Sequence, residues 1–316
     1  MGKRRFEFEL YRINLTQAEL MLFEEMNKPI SHKKDIVAIL KHAVQPQFAA
    51  EFSGTKNTFM WAVRDFVQYL DEPRGPGKVY GLTLAKSVVE TTGEIVTETG
   101  IEEGVSELEP PLADTGHLFF YMERHLMAVE RRSAIINSRW RHALQDILKA
   151  SAHELGYSGW VEFEPVPRHQ EIIEAFRSFT RLTRLRVILR LPNPELSRYS
   201  RRLYNEMHEG AIREYLQDMK NPRGLNKSDG KLPHATAEIA AAGYKRGEVT
   251  LEGVREGRRD AVRTGRAAAR GRIDETRDYV RGLKDLAKTK EGQRITTAIL
   301  DEIDRIAPAQ WQEDNS

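Results

Sequence analysis

The side chains here that could do chemistry are mostly cations. In "RLTRLRVILRL", Arg181 to Leu191, the residues from Thr183 onward separate by parity, with Leu185, Val187, Leu189 and Leu191 on one side and Arg184, Arg186, Ile188 and Arg190 on the other. That is the pattern of a half-buried strand with a cationic outer face. Same-face neighbours on a strand stand about 7 Å apart, so three guanidinium groups would form a short rail suited to a polyanion. Beyond the strand, Arg198, Arg201 and Arg202 carry the charge onto the first turns of an expected helix at i, i+3, i+4 spacing. Between Arg181 and Arg202 there are seven arginines and one acid, Glu195. Arginine also suits bidentate phosphate contact better than lysine does. A second basic stretch, "YKRGEVTLEGVREGRRDAVRTGR", offers Lys245, Arg246, Arg258, Arg259 and Arg263 as secondary contacts. Aromatics are sparse there, so backbone contact with a duplex is expected and base stacking is not.

The same arginines have a structural reading. They could pair with Glu162 and Glu164 of "WVEFEPV" on a neighbouring strand. They could also meet the acidic segment 87–115, which holds eight acids and no Lys or Arg, within one chain or between subunits. Sequence leaves both readings open.

Catalytic patterns do not assemble. "GPGK" at Gly75 to Lys78 lacks the preceding strand, the spacing and the Ser/Thr of a phosphate-cradling loop. "AHELG" at Ala152 to Gly156 has no second histidine one turn on. His142 and His153 share a helix face without a carboxylate at metal spacing, and no segment offers an Asp with Glu-x-Lys on adjoining strands as a metal-dependent nuclease would. Cysteine is absent, which removes disulfides, thiolate metal sites and cysteine nucleophiles. The expectation is a protein that is not an enzyme, with no catalytic residue, metal site or cofactor.

The elements that must position these side chains read as short strands mixed with helices. A chain of 316 residues with 40% apolar content can bury a real core, and its net charge of +2 means that any polyanion site depends on how charge is distributed. Strands are expected at "RFEFELYRINL", "QFAAEFS", "TFMWAVRDFV", "KVYGLTLAKSVVE" and "EIVTETG". A hairpin turning at Met122 to His125 follows, then a helix from Ser133 to Leu155 closed by Gly156. The second half adds a strand at "SGWVEFEPVPR", a helix at "HQEIIEAFRSF", the arginine strand and a proline-initiated helix through "PNPELSRYSRRLYNEMHEGAIREYLQDMK". A short helix, two strands about Glu256-Gly257 and terminal helices complete it. Helices are also expected over "QAELMLFEEM" and "KDIVAILKHAV". The expected fold class is α+β with mainly antiparallel sheets in two domains, 1–157 and 158–316. The basic start alternates in polarity where a secretory signal would stay apolar, and no run of apolar residues is long enough to span a bilayer, so a cytoplasmic protein is expected.

The order "VEFEPVPR", helix, "RLTRLRVILRLPNPE", polar helix resembles the central part of RexA-like phage-exclusion proteins. There an Ile-Glu-Pro-Leu strand is likewise followed by a basic alternating strand ending in Leu-Pro. "FEFELYRINL" and "GYKRGEVTLEG" are also similar to RexA-like bacterial proteins of anti-phage loci. The resemblance implies a homodimer of mixed α/β domains that binds double-stranded DNA without strong sequence preference and acts in defence with a membrane-protein or phage-protein partner. It would place Arg184, Arg186 and Arg190 in a DNA-facing or domain-junction strand. The acidic segment and the hairpin near Arg258 have no counterpart in that pattern. Two alternatives stand beside it: an interaction subunit binding an acidic protein or DNA mimic, and an effector nuclease with an unrecognised site.

Overall fold

The computed structural model describes residues 5–16, 28–30, 33–70, 79–96, 101–107, 112–136, 139–168, 171–190, 203, 205–207, 209–210, 212 and 214–308. The chain is α+β, with two antiparallel sheets and a minor two-stranded parallel pairing. In chain order the strands are β1 (Arg5–Thr16), β2 (Lys28–Pro29), β3 (Ala49–Ser53), β4 (Asn57–Leu70), β5 (Val79–Val96), β6 (Ile101–Glu107), β7 (Ala113–Tyr121), β8 (Leu126–Glu130), β9 (Tyr157–Ser158), β10 (Trp160–Pro165), β11 (Arg181–Arg190), β12 (Glu214–Lys220), β13 (Lys245–Arg255), β14 (Arg258–Thr264) and β15 (Arg270–Thr276). The helices are α1 (Lys33–His42), α2 (Ser133–Ile136), α3 (Trp140–Glu154), α4 (Glu171–Ser178), α5 (Leu232–Ala241), α6 (Arg277–Arg281), α7 (Leu283–Leu286) and α8 (Lys290–Ile306); described residues between 203 and 209 are also helical.

The larger sheet has nine strands in the order β10-β1-β8-β7-β5-β4-β3, with β15 added to β1 and β6 to β5. Its central strand β1 is covered on both faces, so both parities are apolar: Phe6, Phe8 and Leu10 face one core, Tyr11 and Ile13 the other. On the second side α1 and α3 pack through Ile36, Ile39 and Leu40 and through Trp140, Leu144, Ile147 and Leu148. On the first side α8 presents Ile295, Ile299, Leu300 and Ile303, the stripe of an amphipathic helix. Thr289 caps that helix by accepting from the Gly292 amide, and Gly292 permits close packing, since a Cβ there would lie 2.0 Å from the Leu286 carbonyl oxygen. Together these make a layered α/β/α body.

The smaller sheet runs β12-β11-β13-β14, entirely antiparallel. Its inner face, Leu182, Leu185, Val187 and Leu189 with Val249 and Leu251, packs on Ile172 and Phe176 of α4 and on Ala237, Ala240 and Ala241 of α5. No helix covers its outer face among the described residues. The expected boundary near residue 157 does not describe this arrangement. β10, β15 and α6 to α8 come from the second half of the chain yet complete the large sheet, because β1 is central and needs antiparallel partners on both sides. The small sheet and its two helices therefore form an insertion between β10 and β15.

Several expected elements differ. Over their described residues, the two strands expected at "KVYGLTLAKSVVE" and "EIVTETG" merge into one 18-residue strand, β5 (Val79–Val96), which runs through Gly93 and pairs antiparallel with β6. The segment "EYLQDMK" forms strand β12, not part of a helix: it pairs with the free edge of β11, which a helix could not do. The expected helix at "QAELMLFEEM" lies outside the described residues. Among the described residues no helix is long and apolar enough to cross a membrane.

Candidate nucleic-acid interface

β11 sits centrally in the small sheet, so its outer-face arginines stand beside residues of two neighbours. Register places Arg184 opposite Lys220 and Glu252, Arg186 opposite Asp218 and Thr250, and Arg190 opposite Glu214. The face is thus a chequer of opposite charges, and its arginines fall into two kinds.

Arg184 and Arg190 are engaged. Arg184 makes a bidentate contact with Asp218, Nε to Oδ1 at 2.8 Å and Nη2 to Oδ2 at 2.9 Å, and reaches Glu252 with Nη1 at 2.9 Å. Hydrogen bonding from Arg184 and Lys220 holds the Asp218 carboxyl well below the ordinary carboxylate range. Arg190 is 7% exposed, because β10 of the large sheet crosses this end of the face. It donates to Glu162 of β10 and, at 3.2 Å, to Glu214. Sequence placed Glu162 as a possible partner on an adjacent strand of one sheet; the pair instead ties the two sheets together. Arg190 is consequently buried and does not present its charge on the surface as expected.

Arg181 and Arg186 are exposed and make no ion pair among the described residues. Alternation alone would put Arg181 on the core side with Leu185. A bulge between Leu182 and Arg184 reverses the parity, so Leu182 turns inward and Arg181 shares the outer face with Arg184 and Arg186. Gly253 permits this close approach, since a Cβ there would lie 2.1 Å from the Arg181 carbonyl oxygen. On β14, Arg259 stands across Val254 from Arg181, and Arg263 stands across Thr250 from Arg186. Both are exposed and also lack an acid partner among the described residues. The four free arginines mark a quadrilateral about 10 Å across, two inter-strand spacings, and about 13 Å along β14.

The remaining expected contacts divide. Lys245 is not on the surface: it lies opposite inward-facing Leu189, is 1% exposed, and donates from Nζ to the Gly247 carbonyl at 2.6 Å. Burial pushes its pKa down, and nearby Glu164 is pushed up, also by burial. Arg246 is exposed and pairs with Glu214. Arg258 is exposed beside the two-residue turn at Glu256 and Gly257, both of positive φ as a type I′ hairpin requires. Arg198, Arg201 and Arg202 lie outside the described residues. Sequence reasoning missed the contribution of β12, whose Asp218 and Glu214 decide which arginines are neutralised; the period-2 spacing of Tyr215, Gln217 and Met219 was the available signal.

A second contact, with the residues that lead into β13, is equally defined. Arg12 of β1 donates to the Ala242 carbonyl from Nε at 3.1 Å and Nη2 at 2.7 Å, to the Arg124 carbonyl from Nη1, and stacks over Tyr244. The two sheets are therefore fixed to each other by Arg12 and Arg190, and the outer face keeps one orientation on the body. Among the described residues no cluster of three His, Asp or Glu is placed to hold a metal ion.

No curated protein matches this chain. A family model described as a domain of unknown function, DUF4747, matches residues 86–287, a stretch that contains the whole small sheet and every free arginine just described. Because the match spans more than half of the 316 residues, the chain belongs to the DUF4747 family.

Proposed function

We propose that this protein binds double-stranded nucleic acid, without strong sequence preference, on the outer face of the small sheet. The observation that carries the reading is the set of four exposed arginines, Arg181, Arg186, Arg259 and Arg263, which have no acid partner among the described residues, whereas Asp218, Glu214 and Glu252 on the same face are already paired. Guanidinium groups that displace condensed counterions from phosphates gain affinity from salt release, and two rows of them about 10 Å apart can engage both backbones that flank a groove. The lack of stacking aromatics among the free arginines favours backbone contact over base readout. On the resemblance to RexA-like proteins we extend the proposal to a homodimer that works in anti-phage defence, inside the cell and with a membrane or phage protein as partner.

The binding reading is tested by anisotropy titration of a labelled duplex of arbitrary sequence. Arg186→Ala/Arg263→Ala should weaken binding equally across unrelated sequences, and a wild-type protein that ignores duplex at low salt would overturn the reading and favour an acidic protein as the ligand. Phage plating efficiency on cells with and without the gene tests the defence extension, and sedimentation tests the dimer.

A further inference from the structure

Where β11 and β14 begin and β12 ends, the outer face deepens into an open groove of about 640 Å³. Arg181, Thr183, Arg184, Lys220, Asn221 and Arg259 line it, with the acids Glu252 and Asp260. This volume lies in the range of small-molecule sites. The acids do not make it electronegative, because each is already matched: Glu252 receives Arg184 at 2.9 Å, and Asp260 receives Arg255 at 2.7 Å. Lys220 is shared with Asp218 at 3.2 Å. What remains is Arg181 and Arg259, flanking Val254 from either side, with side chains long enough for their tips to converge on one anion.

The walls are held in place. Arg184 is fixed by its two carboxylates. The turn that supplies Asn221 is closed by the Asn221 amide donating to the Thr183 carbonyl at 2.9 Å and by the Gly224 amide donating to the Asn221 carbonyl at 2.9 Å. The Asn221 side-chain oxygen accepts from the Arg223 amide at 3.0 Å, which leaves its NH2 group without a partner among the described residues. Two free guanidinium groups, a shared ammonium and a neutral amide donor around one groove make a donor set for a compact, doubly charged anion with several acceptor oxygens. A backbone phosphodiester carries one charge; a terminal phosphate carries nearly two near neutral pH, its second pKa being about 6.

We propose that this groove seats a terminal, doubly charged phosphate group, either that of a nucleic-acid strand end or that of a free nucleotide. For the strand-end source the proposal rests on the duplex-binding reading; for the free nucleotide it stands alone. Position favours the combination, since Arg186 and Arg263 continue the free arginines from the groove along the same face, so that a duplex whose end sits between Arg181 and Arg259 can also lie over them.

The test uses the full-length protein and four probes: a linear duplex with 5′-phosphate ends, the same duplex with 5′-hydroxyl ends, ADP and inorganic phosphate. Closed circular duplex serves as an end-free competitor. The expected result is about tenfold tighter binding of the phosphorylated duplex, or saturable ADP binding, or both, since charge-assisted contacts of this kind carry about that much discrimination. Arg181→Ala/Arg259→Ala should abolish the preference, and a melting measurement checks that this variant is folded; the wild-type comparison of the two duplex ends needs no variant. End preference without ADP binding assigns the strand terminus, and ADP binding without end preference assigns the nucleotide. Equal affinity for both duplexes within about twofold, together with no binding of ADP or inorganic phosphate, overturns the groove proposal. Circular duplex that still binds in that case leaves the duplex reading intact, whereas ADP binding by a protein that ignores every duplex sinks that reading and keeps the groove.

Discussion

The division between engaged and free arginines predicts a specific salt response. Four arginines, Arg181, Arg186, Arg259 and Arg263, are exposed without an acid partner among the described residues, so on an end-free duplex, where each meets its own backbone phosphate, about four phosphates should be neutralised. With a slope of about −0.9 per phosphate, log affinity should fall by about 3.6 per decade of salt, which between about 50 and 200 mM is a loss of roughly 150-fold. Arg186→Ala/Arg263→Ala removes two contacts, so its slope should drop to about −1.8 and the loss over the same interval to roughly 12-fold. Arg184→Ala should behave differently. Arg184 is held by Asp218 and Glu252, so removing it exposes two carboxylates on the face and weakens binding by repulsion without removing a phosphate contact. Affinity at any one salt concentration should fall while the slope stays near the wild-type value. Anisotropy titrations at five salt concentrations measure all three slopes. If Arg184→Ala flattens the slope as much as Arg186→Ala/Arg263→Ala does, the distinction between paired and free side chains is wrong for this face. If neither variant changes it, the duplex lies elsewhere.

Other perturbations probe how the face is supported. Arg190→Ala should destabilise the fold by about 3 kcal/mol in urea unfolding, because it leaves Glu162 at the sheet junction without its cation. Glu130 is fully buried, with Arg277 Nε at 2.8 Å and Arg281 Nη2 at 3.3 Å, so Glu130→Ala should cost at least about 3 kcal/mol and loosen α6 from the sheet, read as faster hydrogen exchange at residues 277–281. Burial holds His117, which faces Thr83, Glu130, Arg281, Asp65 and Lys284, below the ordinary histidine pKa. It stays neutral in the folded chain while the unfolded chain takes up a proton below about pH 6.5, so its stability contribution is complete above that pH and is lost as pH falls toward the depressed value; His117→Asn should flatten that part of the urea-midpoint profile. Gly253→Ala should cost about 2 kcal/mol or more in the same assay and reduce duplex affinity, since its Cβ would force β11 away at Arg181.

What could be read from the sequence follows from which interactions are local. The alternation of β11 was visible because one face packs on α4 and α5, and the hairpin at Glu256-Gly257 because its turn chemistry is short-range. The domain boundary was not visible. β1 carries apolar residues on both parities, which signals a doubly covered strand, but nothing in its own residues says that β10 and β15 lie beside it, about 150 and 260 residues later. β15 itself, "RGRIDET", buries only Gly271 and Ile273 and has no strand-like composition. Among site residues, the outward position of Arg184 and Arg186 was legible from parity. That of Arg181 was not, because a bulge is set by backbone packing against Gly253. The burial of Arg190 and Lys245 was hidden for a related reason: it depends on a different sheet and on the inner face of β13.

The interleaving of acids with arginines on this face has a physical logic that links it to the near-neutral total charge. Seven arginines stand on or beside the face: Arg181, Arg184, Arg186, Arg190, Arg246, Arg259 and Arg263. If all were unpaired, like charges on adjacent strands would repel and their long side chains would sample many rotamers. Asp218, Glu214, Glu252 and Glu162 remove the charge of three of these positions and turn them into fixed struts, leaving a sparse set of free guanidinium groups between rigid pairs. A polyanion then meets few but well-placed charges and displaces no internal ion pair on binding. The same logic explains why charge-neutralising an acid should be informative: Asp218→Asn frees part of Arg184 and Lys220, so duplex affinity should rise by several-fold and the salt slope should steepen by about one phosphate contact. A variant that loses affinity instead would mean that Arg184 must be held rigid for the face to work, and that its ion pairs serve to position the free arginines as well as to neutralise charge.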